Sequence, residues 1–198
     1  MSKARAGTEA EKSNPVESPI IKSERLYLRE VRVTDVNERY YSWMNDPDIS
    51  AYLESRFSVH SMESLVQYVK KVDADPGSLF FAICKLDDSE HIGNIKLGPI
   101  NWQHRRAAIG IIIGEKKCWG KGFGSEAIKM MTTYAFEKLS LSKLTAGCYA
   151  ANEGSARAFE KSGWIREGYL HGNVIFEGKP HDCILLGMTS SKYWEKKQ

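Results

Sequence analysis

The sequence predicts one α/β (α+β mixed) domain built on a mostly antiparallel sheet, and three observations support this. The chain has 198 residues, the length of one domain rather than two. Three short apolar segments follow one another through its middle, separated only by turn residues, as in an antiparallel meander. Helical and strand patterns then alternate toward the C-terminus, so helices should flank the sheet.

The first 19 positions differ from the rest of the chain. They are rich in charged residues and contain no aromatic residue, so they carry too little apolar surface to offset the entropy of ordering. They also lack the apolar core of a signal peptide, and no run in the chain reaches the ~20 apolar residues of a membrane span. We expect a disordered leader at 1–19 and one folded domain at 20–198.

Charge and cysteine usage narrow the function classes. A net charge of +3 is too small for a dedicated nucleic-acid binder but allows a local anion site. Cys84, Cys118, Cys148 and Cys183 are isolated and form no CxxC pair, so a zinc or thioredoxin-like site is not expected. We therefore expect no metal, no membrane partner and a location in the reducing cytoplasm.

In the N-terminal part, Leu26 and Leu28 alternate with polar residues, which predicts a half-buried strand. The pair Thr34-Asp35 is the predicted N-cap of a short helix with an aromatic face. A turn at 45–48 follows, and a second helix ends at the turn residues 75–77.

The middle of the chain should supply three strands. They are predicted at Leu79–Lys85, His91–Leu97 and 107–113, and the run of isoleucines in the third predicts burial on both of its faces. A loop rich in glycine and lysine occupies 114–124. A long helix follows it, with apolar residues recurring at helical spacing from Ala127 to Leu139.

The C-terminal part continues this alternation. A strand is predicted at 144–149, and Asn152 should cap a helix that ends before Gly163. Strands at 164–171 and 183–188 close the sheet, and 190–198 is expected to form a short helix.

The segment 117–127 predicts a binding site for an anionic ligand. Glycines let backbone N–H groups approach a ligand, and the following helix N-terminus adds unpaired N–H groups, which suits a pyrophosphate. A Walker loop is excluded because five residues separate Gly114 from Gly120 and Gly122 stands in place of Ser or Thr. A dinucleotide fingerprint is excluded because position 125 is Ser. A loop that needs glycines only in order to turn is the remaining alternative.

Three motifs resemble the GNAT family of N-acetyltransferases, in particular the branch similar to ribosomal-protein-alanine acetyltransferases. Lys117, Gly120 and Gly122 occupy the [QR]-x-x-G-x-[GA] positions, with Lys in place of Gln or Arg. Asn152 and Ser155, with the Lys-x-Gly-Trp that follows at 161–164, resemble a second family segment. The third is Gly-x-x-His-Asp at 178–182. The order of elements agrees over nearly all of the chain outside the leader.

The resemblance implies a GNAT fold, which is a splayed, mostly antiparallel mixed sheet of about seven strands flanked by helices. Acetyl-CoA (CoA) would lie where two central strands part. Backbone groups of the third meander strand would pair with its pantetheine arm, and the glycine loop would hold its pyrophosphate. The cofactor-binding residues implied in this way are Ile111, Ile112, Ile113, Lys117, Cys118, Trp119, Gly120, Lys121, Gly122, Phe123, Gly124, Ser125, Asn152 and Phe159.

The same resemblance leaves the catalytic residues incomplete. Many relatives have a proton-donating Tyr where this chain has Phe159, so Ser155 is the candidate acid, or else only a helix-turn hydroxyl. The Glu residues that relatives use as a base correspond to Ala108 and Val174. The remaining candidates for the base are Glu54, His171, His181, Asp182 and a chain of water molecules.

The acceptor should be a primary amine selected by the segment 43–57. Glu54 either anchors a cationic amine or pairs with Arg56 as an exposed ion pair. The acceptor classes are a protein N-terminus and a small molecule such as an amino sugar, a polyamine or an antibiotic. The competing hypothesis is a non-catalytic acyl-CoA sensor. No nucleic-acid partner is expected, and a homodimer is possible because dimers are common in this branch.

Overall fold

An eight-stranded sheet runs through residues 21–197, the part of the chain that the computed structural model describes. The leader predicted at 1–19 lies outside these residues. The strands are β1 Ile21–Lys22, β2 Leu26–Glu30, β3 Leu79–Lys85, β4 His91–Leu97, β5 Arg106–Ile113, β6 Lys143–Tyr149, β7 Ile165–Phe176 and β8 Lys179–Thr189. The helices are α1 Glu38–Asn45, α2 Pro47–Ser50, α3 Met62–Asp73, α4 Phe123–Glu137, α5 Glu153–Lys161 and α6 Ser190–Glu195.

The strand order is β1-β2-β3-β4-β5-β6-β8-β7, and every neighbouring pair is antiparallel except β5 with β6. This confirms the predicted mixed, mostly antiparallel sheet with its β3-β4-β5 meander. The strand count is eight rather than about seven because Ile21–Lys22 folds back on β2 as a strand of its own.

The sheet splits where its two parallel strands meet. β5 and β6 pair only through Arg106–Ala108 and Lys143–Thr145, at their N-terminal ends. Beyond these residues β5 stays paired with β4, while β6 stays paired with β8. The C-terminal halves of β5 and β6 therefore diverge and leave a cleft, as the resemblance implied.

Alternating side chains on the strands bury both faces of the sheet. On β3, Phe81 and Ile83 belong to the larger core, which includes α4 and α5, whereas Ala82 and Cys84 belong to a smaller core beneath α1 and α3. This period of two is the reason that helices cover both faces. No helix within 21–197 is long and apolar enough to cross a membrane.

Three local expectations differ from the structure. Asn37, rather than Thr34-Asp35, caps α1 by accepting from the N–H groups of Arg39 and Tyr40. Asp35 instead forms two hydrogen bonds of 2.7 Å with the Arg29 guanidinium. The isoleucines of β5 are not buried on both faces, because residues 111–113 are half-exposed along the cleft.

The C-terminal hairpin is longer than the sequence predicted. β7 and β8 extend to Phe176 and Lys179, and only Glu177 and Gly178 connect them. Both residues have positive φ angles, 50° and 73°, as a type I′ turn requires. Gly172 directly follows the predicted end of this strand. In the structure it lies within β7, at an irregularity of the pairing, and has a φ of 59°. The extended hairpin brings residues 173–176 to the cleft region.

One buried histidine makes stability depend on pH. The Nε2 atom of His91 lies 2.9 Å from both Gly93 O and Asn94 Oδ1, and burial lowers the pKa of this imidazole. In the unfolded chain its pKa is about 6.5, so below that pH the unfolded state binds a proton that the folded state resists. Stability should therefore fall as the pH drops below about 6.5.

We expect the free energy of unfolding to decrease by about 1 kcal/mol more in the wild type than in His91→Gln between pH 7.0 and 5.5. Urea unfolding curves at the two pH values measure this. Equal decreases in the two proteins would show that another group causes the loss.

Candidate active site

The exposed edge of β5 forms one wall of the cleft. Gly98 N donates to Ala108 O at 2.8 Å, and Gly114 N donates to Ile92 O at 2.9 Å. These two bonds show that the N–H and C=O groups of the even-numbered β5 residues hydrogen-bond with β4. The N–H and C=O groups of successive residues point to opposite edges of a strand, so those of the odd-numbered residues point away from β4. The backbone groups of Ile109, Ile111 and Ile113 therefore face the cleft. Those of Ile112 pair with β4 opposite Asn94, so only its side chain is available to a ligand.

The glycine loop closes one end of the cleft. Gly120 and Gly122 adopt positive φ angles of 71° and 84°, and Gly122 is the N-cap of α4. The first helical bond is donated by Glu126 N to Gly122 O, which leaves the N–H groups of Phe123, Gly124 and Ser125 without a partner inside the helix. Glycine is needed here because an L side chain is strained at these φ values.

The cleft lining includes most of the loop residues that the sequence identified, but not its lysines. Lys117 Nζ lies 2.6 Å from Glu90 Oε1, and the carbonyl of Lys121 accepts from Arg25 Nη1 at 3.0 Å. Neither residue lines the cleft, so both support the loop from outside. Cys118 does line it, yet its side chain is buried, and this burial raises the pKa of its thiol. Trp119 lies across the cleft edge, where its Nε1 donates to Ile113 O at 2.7 Å.

The opposite wall is formed by α5 and β6. Asn152 Oδ1 caps α5 by accepting from Ser155 N at 3.0 Å, and both residues line the cleft. Burial raises the pKa of the Cys148 thiol, and the Ser155 hydroxyl acts on this pKa in the opposite direction. Phe159 also lines the cleft but is only 2 % exposed, with its ring 4.9 Å from that of Trp164. Of the α5 residues in the cleft lining, Ser155 therefore supplies the one hydroxyl, and Arg157 and Lys161 of the same helix line the cleft as well.

A tyrosine that the sequence analysis did not identify lies at the far end of the cleft. The Tyr149 hydroxyl donates to Glu54 Oε1 at 2.6 Å and accepts from Arg56 Nη1. Burial and the nearby Glu54 carboxylate raise the pKa of Tyr149, so the hydroxyl keeps its proton at neutral pH. Arg56 also donates to Ile175 O at 2.9 Å, which ties the segment 54–57 to the C-terminal hairpin.

This arrangement replaces the surface ion pair considered for Glu54 and Arg56. Within 21–197, no Lys, Arg or His nitrogen lies within 4.0 Å of the Glu54 carboxylate. Glu54 lines the cleft and is exposed, while Tyr149 holds one of its two oxygens. The carboxylate is therefore oriented by Tyr149 and forms no direct ion pair, and Arg56 reaches it only through the Tyr149 hydroxyl.

The three other candidates for the base lie together on the C-terminal hairpin. His171 Nδ1 is 3.0 Å from Asp182 Oδ2, and the His171 side chain is 85 % exposed. Asp182 also accepts from Gly172 N at 2.9 Å, and this hydrogen bond is the largest cause of the lowered pKa of its carboxyl. The ring of His181 packs edge-on against Phe176 at 5.6 Å. None of the three lines the cleft.

Sequence comparison identifies the class of protein that this fold and cleft define. The acetyltransferase (GNAT) domain family matches residues 25–165, which is most of the chain. The uncharacterized N-acetyltransferase YoaA of Bacillus subtilis (strain 168) is 32% identical over 176 residues, which cover 88% of this chain and 98% of YoaA. The putative ribosomal N-acetyltransferase YdaF of the same organism is 31% identical over 110 residues, or 56% of this chain and 59% of YdaF.

Solved structures agree with the sequence matches. The spermidine N-acetyltransferase of Vibrio cholerae, crystallised in complex with CoA and spermine, superposes with a TM-score of 0.77 at 26% identity. The superposition covers 85% of this chain and 98% of that one. The chain belongs to the GNAT family of acetyltransferases. It is an N-acetyltransferase that uses acetyl-CoA to acetylate an amine.

The residues present fit this cofactor. A cleft of about 810 Å³ runs from the glycine loop to Tyr149, and the backbone of Ile111 faces it from one wall. Two glycines at positive φ and three unpaired N–H groups of α4 suit a pyrophosphate. Within 21–197 there is no cluster of three or more His, Cys, Asp and Glu residues that could hold a metal ion.

Proposed function

We propose that this protein acetylates a primary amine that enters as an ammonium ion and binds at Glu54. The observation that carries the proposal is a cleft-lining carboxylate that is oriented by Tyr149 and, within the described residues, forms no direct ion pair. A negative group in this position attracts a protonated amine, and the second carboxylate oxygen, Oε2, is available for it. Glu54 would bind the ammonium and accept one proton from it, which leaves a neutral amine. Glu54 would then release this proton to water at the open end of the cleft.

Other residues of the cleft complete the proposed site. Bound acetyl-CoA supplies the acetyl group as a thioester, held by the α4 N-terminus and the β5 edge. The N–H of Ile111 faces the cleft and is our candidate donor for polarising a carbonyl. Ser155 Oγ, the hydroxyl on the α5 wall, is our candidate proton donor to the sulfur, since Phe159 has no proton to give.

A direct test measures free-thiol release from acetyl-CoA with and without amines. The amines should include polyamines, aryl-alkyl monoamines, amino sugars and peptides with free N-termini, because the similar proteins carry names from more than one of these groups. Release stimulated by one class supports the proposal. Tight binding of acetyl-CoA without stimulation by any amine contradicts it and favours the acyl-CoA sensor.

The Glu54→Gln variant tests the role of this carboxylate. We expect kcat/KM for the amine to fall about ten-fold, because one partly exposed charge interaction contributes on the order of 1 kcal/mol. The Kd for acetyl-CoA should not change, since Glu54 lies at the other end of the cleft from the glycine loop. Glu195→Gln, on the exposed surface of α6, is the matched control. Unchanged amine kinetics in Glu54→Gln would exclude Glu54 from the site.

A further inference from the structure

Few charged residues line the cleft, and one of the two carboxylates among them forms an ion pair. The charged lining residues are Asp48, Glu54, Arg157 and Lys161. Lys116 Nζ lies 2.6 Å from the Asp48 carboxylate. Glu54 is therefore the one carboxylate of the described lining without a direct ion pair, since Arg56 reaches it only through the Tyr149 hydroxyl. A ligand with a single ammonium group matches this count.

Aromatic rings surround the Glu54 end of the cleft. Tyr52 stacks on Phe176, with 5.1 Å between ring centroids and 28° between ring planes. Tyr149 packs edge-on against both, at 6.0 Å from Tyr52 and 6.2 Å from Phe176. We call these three residues the aromatic wall. Tyr52 and Tyr149 line the cleft, and Phe176 supports Tyr52 by stacking on it. The wall comes from three separate parts of the chain, and the Arg56–Tyr149 and Arg56–Ile175 hydrogen bonds hold those parts together.

The rest of this end of the cleft is apolar as well. The lining residues contributed here by the segment before Glu54 and by the C-terminal hairpin are Leu53, Leu170, Val174 and Leu185, together with the polar Asn173 and Cys183. Asn173 Nδ2 already contacts Cys183 Sγ at 3.6 Å. There is accordingly little here to pair with a second charge or with a series of peptide groups.

These surroundings discriminate between classes of acceptor. The further ammonium groups of a polyamine would lie against apolar side chains, and a desolvated charge without a partner is costly. The amide groups of a bound peptide would also need hydrogen-bond partners. An apolar body would instead gain by covering the Tyr52 ring, since the Arg56 guanidinium already lies 4.9 Å from the centre of the Tyr149 ring.

We propose that the acceptor is a primary monoamine whose amine-bearing chain carries an apolar body of aromatic size. Its ammonium binds at Glu54 and its body packs on the aromatic wall. This inference rests on the proposed function, because it specifies the substrate class of the same site.

The test compares kcat/KM for three probes with the full-length protein: 2-phenylethylamine, spermidine and a hexapeptide with a free N-terminus. We expect 2-phenylethylamine to exceed both others by about ten-fold or more, the discrimination that a hydrophobic site achieves for one apolar group. Equal or better use of spermidine or of the peptide would overturn the inference while leaving the proposed function intact. No turnover of any amine would instead contradict the proposed function.

Two variants separate the roles of the wall and of the charge count. Tyr52→Ala should lower kcat/KM for 2-phenylethylamine about ten-fold more than that for spermidine, since the apolar body of the first packs on the ring. Val174→Glu adds a second carboxylate to the lining and should raise the ratio of kcat/KM for spermidine to that for 2-phenylethylamine about five-fold relative to Val174→Gln, which has the same shape without the charge. A carboxylate that acted only as a base would raise kcat/KM for both amines and leave this ratio unchanged.

An unchanged Kd for acetyl-CoA verifies that each variant is folded. If Tyr52→Ala lowers kcat/KM for both amines equally, or if the ratio of spermidine to 2-phenylethylamine is the same in Val174→Glu and Val174→Gln, the proposed acceptor class is wrong.

Discussion

Replacing Gly122 with valine is expected to raise the Kd for acetyl-CoA by about 100-fold. At φ 84° an L residue costs on the order of 1–2 kcal/mol, and a β-branched residue is among the least tolerant. Avoiding the strain would displace the first turn of α4 and its N–H groups, each worth about 1.5–3 kcal/mol to a charged acceptor. The loss of one or two of these hydrogen bonds, about 3 kcal/mol, corresponds to the 100-fold change.

Isothermal titration with acetyl-CoA measures this effect, and Gly122→Ala should give a smaller loss. The matched control is Gly168→Val on β7, where an added Cβ meets no atom within 4 Å and φ is not positive. A change in Kd of less than about three-fold in Gly122→Val, with the fold intact, would mean that the α4 N-terminus does not hold the cofactor.

Replacing Gly114 with alanine is expected to lower the free energy of unfolding by about 3 kcal/mol, which is the upper end for overpacking a core. An added Cβ would lie 2.1 Å from Trp43 Cδ2, far inside contact distance. The indole has little room to retreat. It is 3% exposed, packs 5.1 Å from the His91 ring and donates to Glu115 Oε1 at 3.2 Å. For a chain of this length the melting temperature should fall by about 6–12 °C.

Chemical and thermal unfolding both measure this loss, with Gly168→Ala as the control at an open position. The double variant Gly114→Ala with Trp43→Leu provides a sharper test. If the clash is the cause, a smaller residue at position 43 should relieve it. The double variant should then lose less free energy of unfolding than the sum of the losses in the two single variants. Simple additivity would show that the two positions are not coupled.

The features that sequence reasoning identified are those encoded by neighbouring residues. The meander, the cap at Asn152, the turn at Gly163 and the glycine loop before α4 each depend on a few consecutive positions. For this reason the sequence motifs alone are sufficient to recognise the GNAT family and its cofactor. The predicted length of the hairpin was too short because Gly172 resembles the end of a strand. In the structure, pairing with β8 continues β7 through Gly172, and the strand ends only before the turn at Gly178.

The features that sequence reasoning missed depend on residues far apart in the chain. Tyr149 lies 95 positions from Glu54 and 93 from Arg56, and no local pattern indicates that one hydroxyl joins them. Lys117 carried the motif position of a cofactor ligand, yet Glu90, 27 positions away, takes its ammonium group.

By itself the sequence determined the family, the cofactor and the loop that should hold it, because local backbone preferences encode a glycine-capped helix N-terminus. Only the tertiary structure decided which groups face the cleft. The strand pairing of β5 assigns alternate backbone groups to β4 or to the opening. The Arg56 hydrogen bonds bring Glu54 and the aromatic wall to one end of it. The arrangement at the Glu54 end of the cleft is therefore a product of long-range packing between parts of the chain that are far apart in sequence.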